Sequence, residues 1–213
     1  MAQMGRPRTF DRNQAIEQAM LLFWEYGYDS TSLSLLKSNI AGGIKAPSFY
    51  AAFGSKEALF REVIEHYIAT HGQVTQSLCD ENLAPREAIE RALRRSAKMQ
   101  TESGHPKGCL LVLSTATCSP ENIHIQQYLT QHRLKTRERF TQCVQRAVDA
   151  GELAVDTDVC AYATSLYCFL LGLSVQARDG VSGTVLNHAV TEIMRGWDAR
   201  TNMKIRIQNN KRI

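Results

Sequence analysis

The sequence contains none of the short motifs that mark common catalytic or metal sites. It has no glycine-rich phosphate loop, no nucleophile elbow and no HExxH sequence, so we do not expect an enzyme. No histidine is followed by another at the i+4 position and no two cysteines form a CxxC pair, so we expect neither a metal site nor a cofactor. His105 and Cys109 are close in sequence, but nothing orients them as a catalytic pair.

A long hydrophobic run is also missing. The GRPRTFD sequence near the start is not followed by an apolar segment, so we expect no signal peptide. The most apolar stretch, about residues 159–175, is short for a membrane span and contains Thr164, Ser165 and Ser174. We therefore expect a cytoplasmic protein that does not associate with a membrane and whose six cysteines are free thiols.

Positive charge is scarce outside the last segment. The net charge is +4, but the residues from Arg200 onward contain five basic and no acidic side chains, so residues 1–199 carry a net charge of −1. Overall basicity therefore does not indicate a nucleic-acid-binding protein. A local concentration does exist near the N-terminus, where Arg6, Arg8 and Arg12 lie close together.

What the sequence does contain is helical periodicity with little strand signal. Apolar residues recur at helical spacing, and Gly, Pro and Asp separate the segments, so we predict an all-α fold of about nine helices. Residues 1–54 are predicted to form an arm and three short helices. A helix from 55 links them to a larger helical domain over 55–200, and 201–213 is expected to be a basic, mobile tail.

The third predicted helix, about residues 45–52, has an unusual start. Pro47 lies in its first turn, where the missing N–H costs nothing, and the proline ring keeps Ala46 extended. Such a short helix contributes little to a core, but it has the right size for a DNA major groove. A plain three-helix core is the alternative interpretation.

Residues 11–60 resemble the N-terminal domain of tetracycline-repressor-type (TetR) transcriptional regulators. The resemblance rests on LLFWEYGYDSTSL (21–33), on Ser48-Phe49-Tyr50 followed by Phe53, and on GSKEAL (54–59). It implies a homodimer in which two helix-turn-helix units bind a near-palindromic operator in double-stranded DNA. Mapped onto this chain, it implies DNA contacts by the following residues: Arg6, Arg8, Thr31, Ser32, Lys45, Ala46, Pro47, Ser48, Phe49, Tyr50 and Lys56.

The chemistry of these residue types suits that role. Ser48 and Tyr50 carry hydroxyls for phosphates or base edges, and Lys45 suits a phosphate or a guanine edge. Lys56 lies at a predicted helix start, where N–H groups and the helix dipole favour a phosphate, and Thr31 or Ser32 offers the same at the second helix. Arg6 and Arg8 are expected to enter a minor groove or to form a disordered end, and Phe49 is expected to pack inward. Lys56 could equally be a solvated lysine.

One departure from the family pattern lies in the turn. Between Thr31 and Phe53 the chain has two residues more than the usual spacing, and the extra length falls around residues 39–43. We still predict a helix-turn-helix, with a longer turn.

The predicted helix from Asp156 to Arg178 is apolar nearly all round, so we expect it to be buried on two sides. Together with the last helix it would form an intersubunit four-helix bundle, which the resemblance also implies. The homodimer interface is therefore predicted within residues 156–199. A central helix in a monomer is the alternative.

The resemblance also implies an effector pocket in the C-terminal half, whose occupancy lowers operator affinity. Its expected walls are aromatic and aliphatic, which suits a hydrophobic small molecule, although ordinary core packing would need the same residue types. The candidate residues are Met99, Cys109, Leu110, Leu113, Tyr128, Phe140, Tyr167 and Phe169.

Cys109 supports a second hypothesis, a thiol-based sensor of electrophiles or redox state. It follows Lys107-Gly108 at a predicted helix start, where the dipole and the lysine would lower the pKa of the thiol. Some TetR relatives have a sensing cysteine in a similar Gly-Cys-Leu context. The alternative is a small buried hydrophobe. A small-molecule carrier that no longer binds DNA is a further hypothesis for the whole chain.

Overall fold

The structure is a computed structural model that describes residues 10–114 and 118–210, with the backbone alone for residues 202–210. These residues form nine α-helices and two 3₁₀ segments, with no strand among them, which confirms the all-α prediction. The helices are α1 (Arg12–Ser30), α2 (Leu33–Asn39), α3 (Ala46–Phe53), α4 (Lys56–Ala69), α5 (Pro85–Thr101), α6 (Leu110–Leu113), α7 (Ile123–Asp149), α8 (Val159–Arg178) and α9 (Gly183–Asn210). The 3₁₀ segments are His71–Cys79 and Pro120–Asn122.

Local sequence signals set most helix starts. The side chains of Asp11, Ser32 and Ser55 each accept hydrogen bonds from N–H groups in the first turn of the helix that follows. Helix α5 begins at Pro85. Gly27 interrupts α1 with φ 76° and ψ 172°, one turn before the helix ends. The predicted stop at Gly27 therefore corresponds to a break in the helix followed by a last turn.

Two hydrophobic cores organise the chain. The first joins α1–α4 and includes Phe23, Phe49 and Phe60, together with Leu110 and Leu129 from the C-terminal half. The second lies among α5, α7, α8 and α9. The apolar face of α4 belongs to the first core, so α4 packs against the N-terminal helices and also against Leu110 and Leu129 of the C-terminal half.

Three segments differ from the sequence expectations. A 3₁₀ segment, not an α-helical extension of α4, covers His71–Cys79. The almost wholly apolar stretch 107–117 predicts one helix, but α6 contains four residues, and 115–117 lie outside the described residues. The apolar periodicity of the last helix predicts an end near Ala199, which is wrong, because α9 continues to Asn210. The last three residues, 211–213, lie outside the described part of the chain.

Helix α8 is long and apolar enough to cross a membrane by length and composition alone. The central helix of a globular core has the same properties, and α8 packs against α5 and α7. Leu166, Leu173 and Ala177 are buried in that contact. These contacts agree with the sequence interpretation of a buried helix.

Candidate DNA-binding surface and effector cavity

Helix α3 has one buried face and one exposed face. Phe49 and Phe53 are 0% and 3% exposed and anchor the helix in the first core. Lys45, Ser48 and Tyr50 are exposed on the opposite side, and the side chain of Tyr50 is 50% accessible. Phe49 is therefore an anchor rather than a DNA contact, because no groove can reach a side chain that the core encloses.

The turn before α3 is held in place by α1. Ala41, Gly42 and Gly43 have φ values of 53°, 68° and 92°, so the chain stays in the left-handed region for three residues. The amide of Ala41 donates to Gln18 Oε1 at 2.8 Å, and that of Ile44 donates to the Lys37 carbonyl at 2.8 Å. These bonds orient α3 relative to α1 in spite of the left-handed backbone.

Thr31 and Ser32 have different surroundings. Thr31 is fully buried and its hydroxyl donates to the Gly27 carbonyl at 2.6 Å. Its predicted DNA contact is therefore wrong, since the side chain is enclosed and its hydroxyl bonds to the backbone of α1. Ser32 is exposed and caps α2 by accepting from the Leu35 amide at 3.0 Å.

Lys56 does not extend freely into solvent. Its ammonium lies 4.3 Å from the centre of the Tyr28 ring. Burial lowers the pKa of Lys56, and Asp29 and Cys118 partly offset this shift. The Lys56 side chain thus lies against α1, whereas the sequence indicates a lysine that is free to bind a DNA phosphate. Arg6 and Arg8 lie outside the described residues.

A cavity lies in the C-terminal half among α4, the first 3₁₀ segment and α5–α8. Its empty space measures about 490 Å³, part of which opens to solvent. The walls combine apolar and polar side chains: Tyr67, Gly72, Val74, Thr75, Ser96, Met99, Gln100, Cys109, Leu111, Val112, Arg133, Thr136, Tyr167, Leu170, Leu171 and Ser174.

Three of the eight predicted ligand-binding residues line this cavity: Met99, Cys109 and Tyr167. Leu110 and Phe140 are fully buried in the first and second cores, and Phe169 packs against the second. Tyr128 donates its hydroxyl to Glu65 at 2.9 Å on the outer side of α4, while Leu113 lies outside the lining. Helical periodicity identifies a buried face but does not distinguish a core from a cavity wall.

The thiol of Cys109 is part of the cavity wall. It accepts a hydrogen bond from the Tyr67 hydroxyl at 3.3 Å. Burial raises the pKa of Cys109, although Tyr67 and the backbone N–H groups of α6 partly oppose the shift. The expectation of a lowered pKa is therefore wrong. The predicted neighbour, Lys107, instead donates to the carbonyls of Thr101 and Glu102 at the end of α5.

The end of α1 is attached to both ends of α6. Trp24 Nε1 donates to the Gly108 carbonyl at 3.2 Å, and the Tyr28 amide donates to the Ser114 carbonyl at 3.2 Å. The break at Gly27 makes the second bond possible, because it frees the Tyr28 amide from the helix. The side chain of Arg178 also donates to the Trp24 carbonyl at 2.7 Å. A displacement of α6 would therefore act directly on the N-terminal unit.

Comparisons of the sequence with known proteins agree with this architecture. Residues 15–63 match the family described as bacterial regulatory proteins, tetR family, and residues 85–193 match the tetracyclin repressor-like C-terminal domain. The HTH-type transcriptional repressor ComR of Escherichia coli (strain K12) is 34% identical over 197 residues, which cover 91% of each chain. The chain belongs to the TetR family.

Further relatives agree with this assignment. The HTH-type transcriptional repressor BdcR of the same organism is 28% identical over 180 residues, covering 84% of each chain. A cysteine mutant of the TetR family regulator CifR, solved with a 26-bp double-strand operator DNA, is 40% identical with a TM-score of 0.82. That match covers 90% of this chain and 100% of the CifR chain. This TetR-family protein is accordingly a transcriptional regulator.

Several polar residues of the cavity in this regulator are absent from the sequence prediction. Gln100, Arg133 and Ser174 line it together with the predicted Met99 and Tyr167. One signal was available: Ser96 and Gln100 are four residues apart on the apolar face of α5, where polar residues are unexpected. Arg133 gave no comparable signal, because α7 contains many charged residues.

Proposed function

We propose that this TetR-family chain is a homodimeric repressor that binds a near-palindromic operator in double-stranded DNA and releases it when a small molecule occupies the cavity. The observation that carries the proposal is the exposed face of α3, where Lys45, Ser48 and Tyr50 surround a helix anchored by Phe49 and Phe53. A short anchored helix with outward hydrogen-bonding groups suits the major groove. The operator complex of CifR and the repressors ComR and BdcR support the same function.

The surface of α8 supports a homodimer through residues 156–199. Five of its exposed positions recur at helical spacing and carry small or apolar side chains: Ala161, Ser165, Cys168, Gly172 and Val175. Small side chains let two helices approach closely, and a second copy would remove the exposed part of Val175 from water. The isologous pairing of α8 and α9 would form a four-helix bundle.

The attachment of α6 to α1 supports effector control. The cavity wall includes Cys109, Leu111 and Val112, and the preceding Gly108 is bonded to Trp24 of α1. A ligand that displaces this segment would change the orientation of the two α3 helices in the dimer. Operator affinity and effector affinity would then be coupled reciprocally.

A thiol-based regulator is the second candidate, favoured by the position of Cys109. Its sulfur lies in the cavity wall within hydrogen-bonding distance of Tyr67, so an electrophile that enters the cavity would meet it. The raised pKa of Cys109 slows such a reaction at neutral pH. Replacement of Cys109 by Ser distinguishes the candidates, because non-covalent release would survive it and electrophile-induced release would not.

The decisive experiment is selection of the purified protein on random duplex DNA, followed by affinity measurements at two salt concentrations. We expect a near-palindromic site bound at least about 10³-fold more tightly than random DNA. Tyr50→Ala should weaken binding to this site while the dimer remains intact in sedimentation.

Tyr26→Ala is the matched control, because Tyr26 is a similarly exposed tyrosine, 54% accessible, outside α3. Equal affinity of the Tyr50→Ala and Tyr26→Ala variants would refute the assigned surface. Failure to enrich any sequence would refute operator binding and would favour a small-molecule carrier.

A further inference from the structure

Two buried polar groups in the cavity have no hydrogen-bond partner among the described residues. Gln100 is 2% exposed and Ser174 is fully buried, yet Gln100 Oε1 and Ser174 Oγ are both unpaired, and both residues line the cavity. Gln100 uses its amide nitrogen to donate to Ser96 Oγ at 2.6 Å, which leaves the oxygen as an acceptor. Leaving a buried polar group unpaired is unfavourable, so these atoms point to a ligand that supplies the missing partners.

Gln100 and Ser174 lie at the same end of the cavity. The Gly108 amide donates to the Gln100 carbonyl at 3.0 Å, and a Cβ on Gly108 would lie 2.8 Å from the Ser174 carbonyl. Both residues therefore contact Gly108. One ligand hydroxyl could satisfy both side chains, because it would donate to Gln100 Oε1 and accept from the Ser174 hydroxyl.

Arg133 supplies a different polar group to the cavity wall. It is the one charged side chain among the described lining residues, and no carboxylate of the described chain forms an ion pair with it. Its guanidinium donates to the Leu111 carbonyl at 2.7 Å and to Thr130 Oγ1 at 2.8 Å, which leaves about three of its five N–H groups. A partly buried cation without an anion is a binding site for one.

Apolar side chains line the cavity beside these polar groups, among them Leu170 and Leu171. Tyr167 also lines the cavity, and its hydroxyl donates to the Arg133 carbonyl at 3.1 Å. The cavity therefore combines a cation, apolar walls and a neutral hydrogen-bonding pair.

We infer that the cavity binds an amphipathic small carboxylic acid that also carries a hydroxyl group. The carboxylate pairs with Arg133, the apolar body packs against Leu170, Leu171 and Val112, and the hydroxyl bonds to Gln100 and Ser174. This inference rests on the proposed effector role of the cavity. It differs from the expected hydrophobic effector, since a purely apolar molecule would leave Gln100 Oε1 and Ser174 Oγ without partners.

The test uses the full-length protein and the ω-hydroxy fatty acids of six to twelve carbons as probes. Each acid is compared with its methyl ester, which removes the charge, and with the fatty acid that has no hydroxyl. Calorimetry should show at least one hydroxy acid binding about tenfold more tightly than both matched compounds, which corresponds to about 1.4 kcal/mol for each polar group. The inference is overturned if no acid binds, or if acid and ester bind equally.

Variants assign each end of the probe. Arg133→Gln should abolish the preference for acid over ester, whereas Arg133→Lys should retain part of it. Ser174→Ala should abolish the preference for the hydroxyl and leave fatty-acid affinity unchanged. A preference that persists in Arg133→Gln or Ser174→Ala protein with a wild-type melting curve would contradict the assignment.

Operator binding without probe is measured in parallel. Loss of specific DNA binding in the wild-type protein would refute the proposed function. Intact operator binding without any acid preference would refute the ligand class alone.

Discussion

The indole nitrogen of Trp24 donates a buried hydrogen bond to the Gly108 carbonyl, at 3.2 Å and across 84 positions of sequence. The same indole ring stacks on His105, with centroids 4.4 Å apart and an interplanar angle of 11°. Trp24 belongs to α1 in the DNA-binding unit, whereas Gly108 precedes the cavity residue Cys109. This pair is one of several contacts that join α1 to the cavity side of the molecule.

Replacing Trp24 by Phe tests that contact. The substitution removes the donor and leaves the Gly108 carbonyl buried without its partner, so we expect the free energy of unfolding to fall by about 1–3 kcal/mol in urea denaturation. We also expect weaker coupling between effector and operator. Tyr26→Phe, at an exposed site on the same helix, should change stability by less than about 0.5 kcal/mol. Equal stability of the two variants would show that the Trp24 bond contributes little.

Replacing Gly27 by Ala tests the break in α1. Its φ of 76° and ψ of 172° belong to a region that is almost restricted to glycine, and a Cβ there would lie 3.1 Å from the Ser114 carbonyl oxygen. We expect a loss of about 3 kcal/mol in the free energy of unfolding. Gly42→Ala is the matched control, because Gly42 has φ 68° and a Cβ added there would have no heavy atom within 4 Å. It should cost about 1 kcal/mol, and an equal cost at both sites would exclude a contribution from the Ser114 contact.

The environment of Cys109 predicts slow alkylation. Because burial raises the pKa of its thiol, the thiolate fraction at pH 7 is small, and the reaction rate should rise as the pH increases. Mass spectrometry after timed iodoacetamide treatment should find Cys109 modified more slowly than the exposed Cys79. Faster modification of Cys109 than of Cys79 at pH 7 would contradict a raised pKa for the Cys109 thiol and would strengthen the thiol-sensor candidate.

The contact between α5 and α9 predicts a pH-dependent contribution to stability. Arg86 donates to both oxygens of Asp198, at 2.7 and 3.1 Å, and these bonds lower the pKa of Asp198 from its ordinary value of 3.8. A lowered folded pKa means that the stabilisation is present above the unfolded value and is lost as the pH falls through the folded one. Asp198 is about half exposed, so Asp198→Asn should cost less than about 1 kcal/mol at pH 7.

Urea denaturation at several pH values measures this effect. The difference between wild type and Asp198→Asn should begin to narrow near pH 4, where the unfolded carboxyl takes up its proton, and should vanish once the pH is below the lowered pKa of the folded state. Glu192→Gln serves as the control, because the Glu192–Arg195 pair is highly exposed and should contribute nothing measurable at any pH. If the difference in the free energy of unfolding between wild type and Asp198→Asn stays constant across the pH range, altered packing rather than the lost charge explains it.

The exposure of the candidate DNA-binding residues was more predictable from the sequence than the lining of the cavity. Ser32, Lys45 and Tyr50 lie at exposed positions on or before short helices, as their local pattern predicts. Thr31 and Leu110 do not occupy the predicted environments, because the Gly27 break encloses Thr31 and the first core encloses Leu110. Thr31 is enclosed by its contact across the break at Gly27, and Leu110 is enclosed by N-terminal residues that are distant along the chain.

By itself, the sequence determined the helical class, most helix starts and the exposed face of α3. These features depend on nearby residues, such as the capping Asp11 and Ser55, and on the periodicity of apolar side chains. Only the tertiary structure decided that Trp24 contacts Gly108, that burial raises the pKa of Cys109, and which polar groups face the cavity. Those features depend on how separate helices pack, because the same apolar face of a helix can meet either another side chain or an empty space.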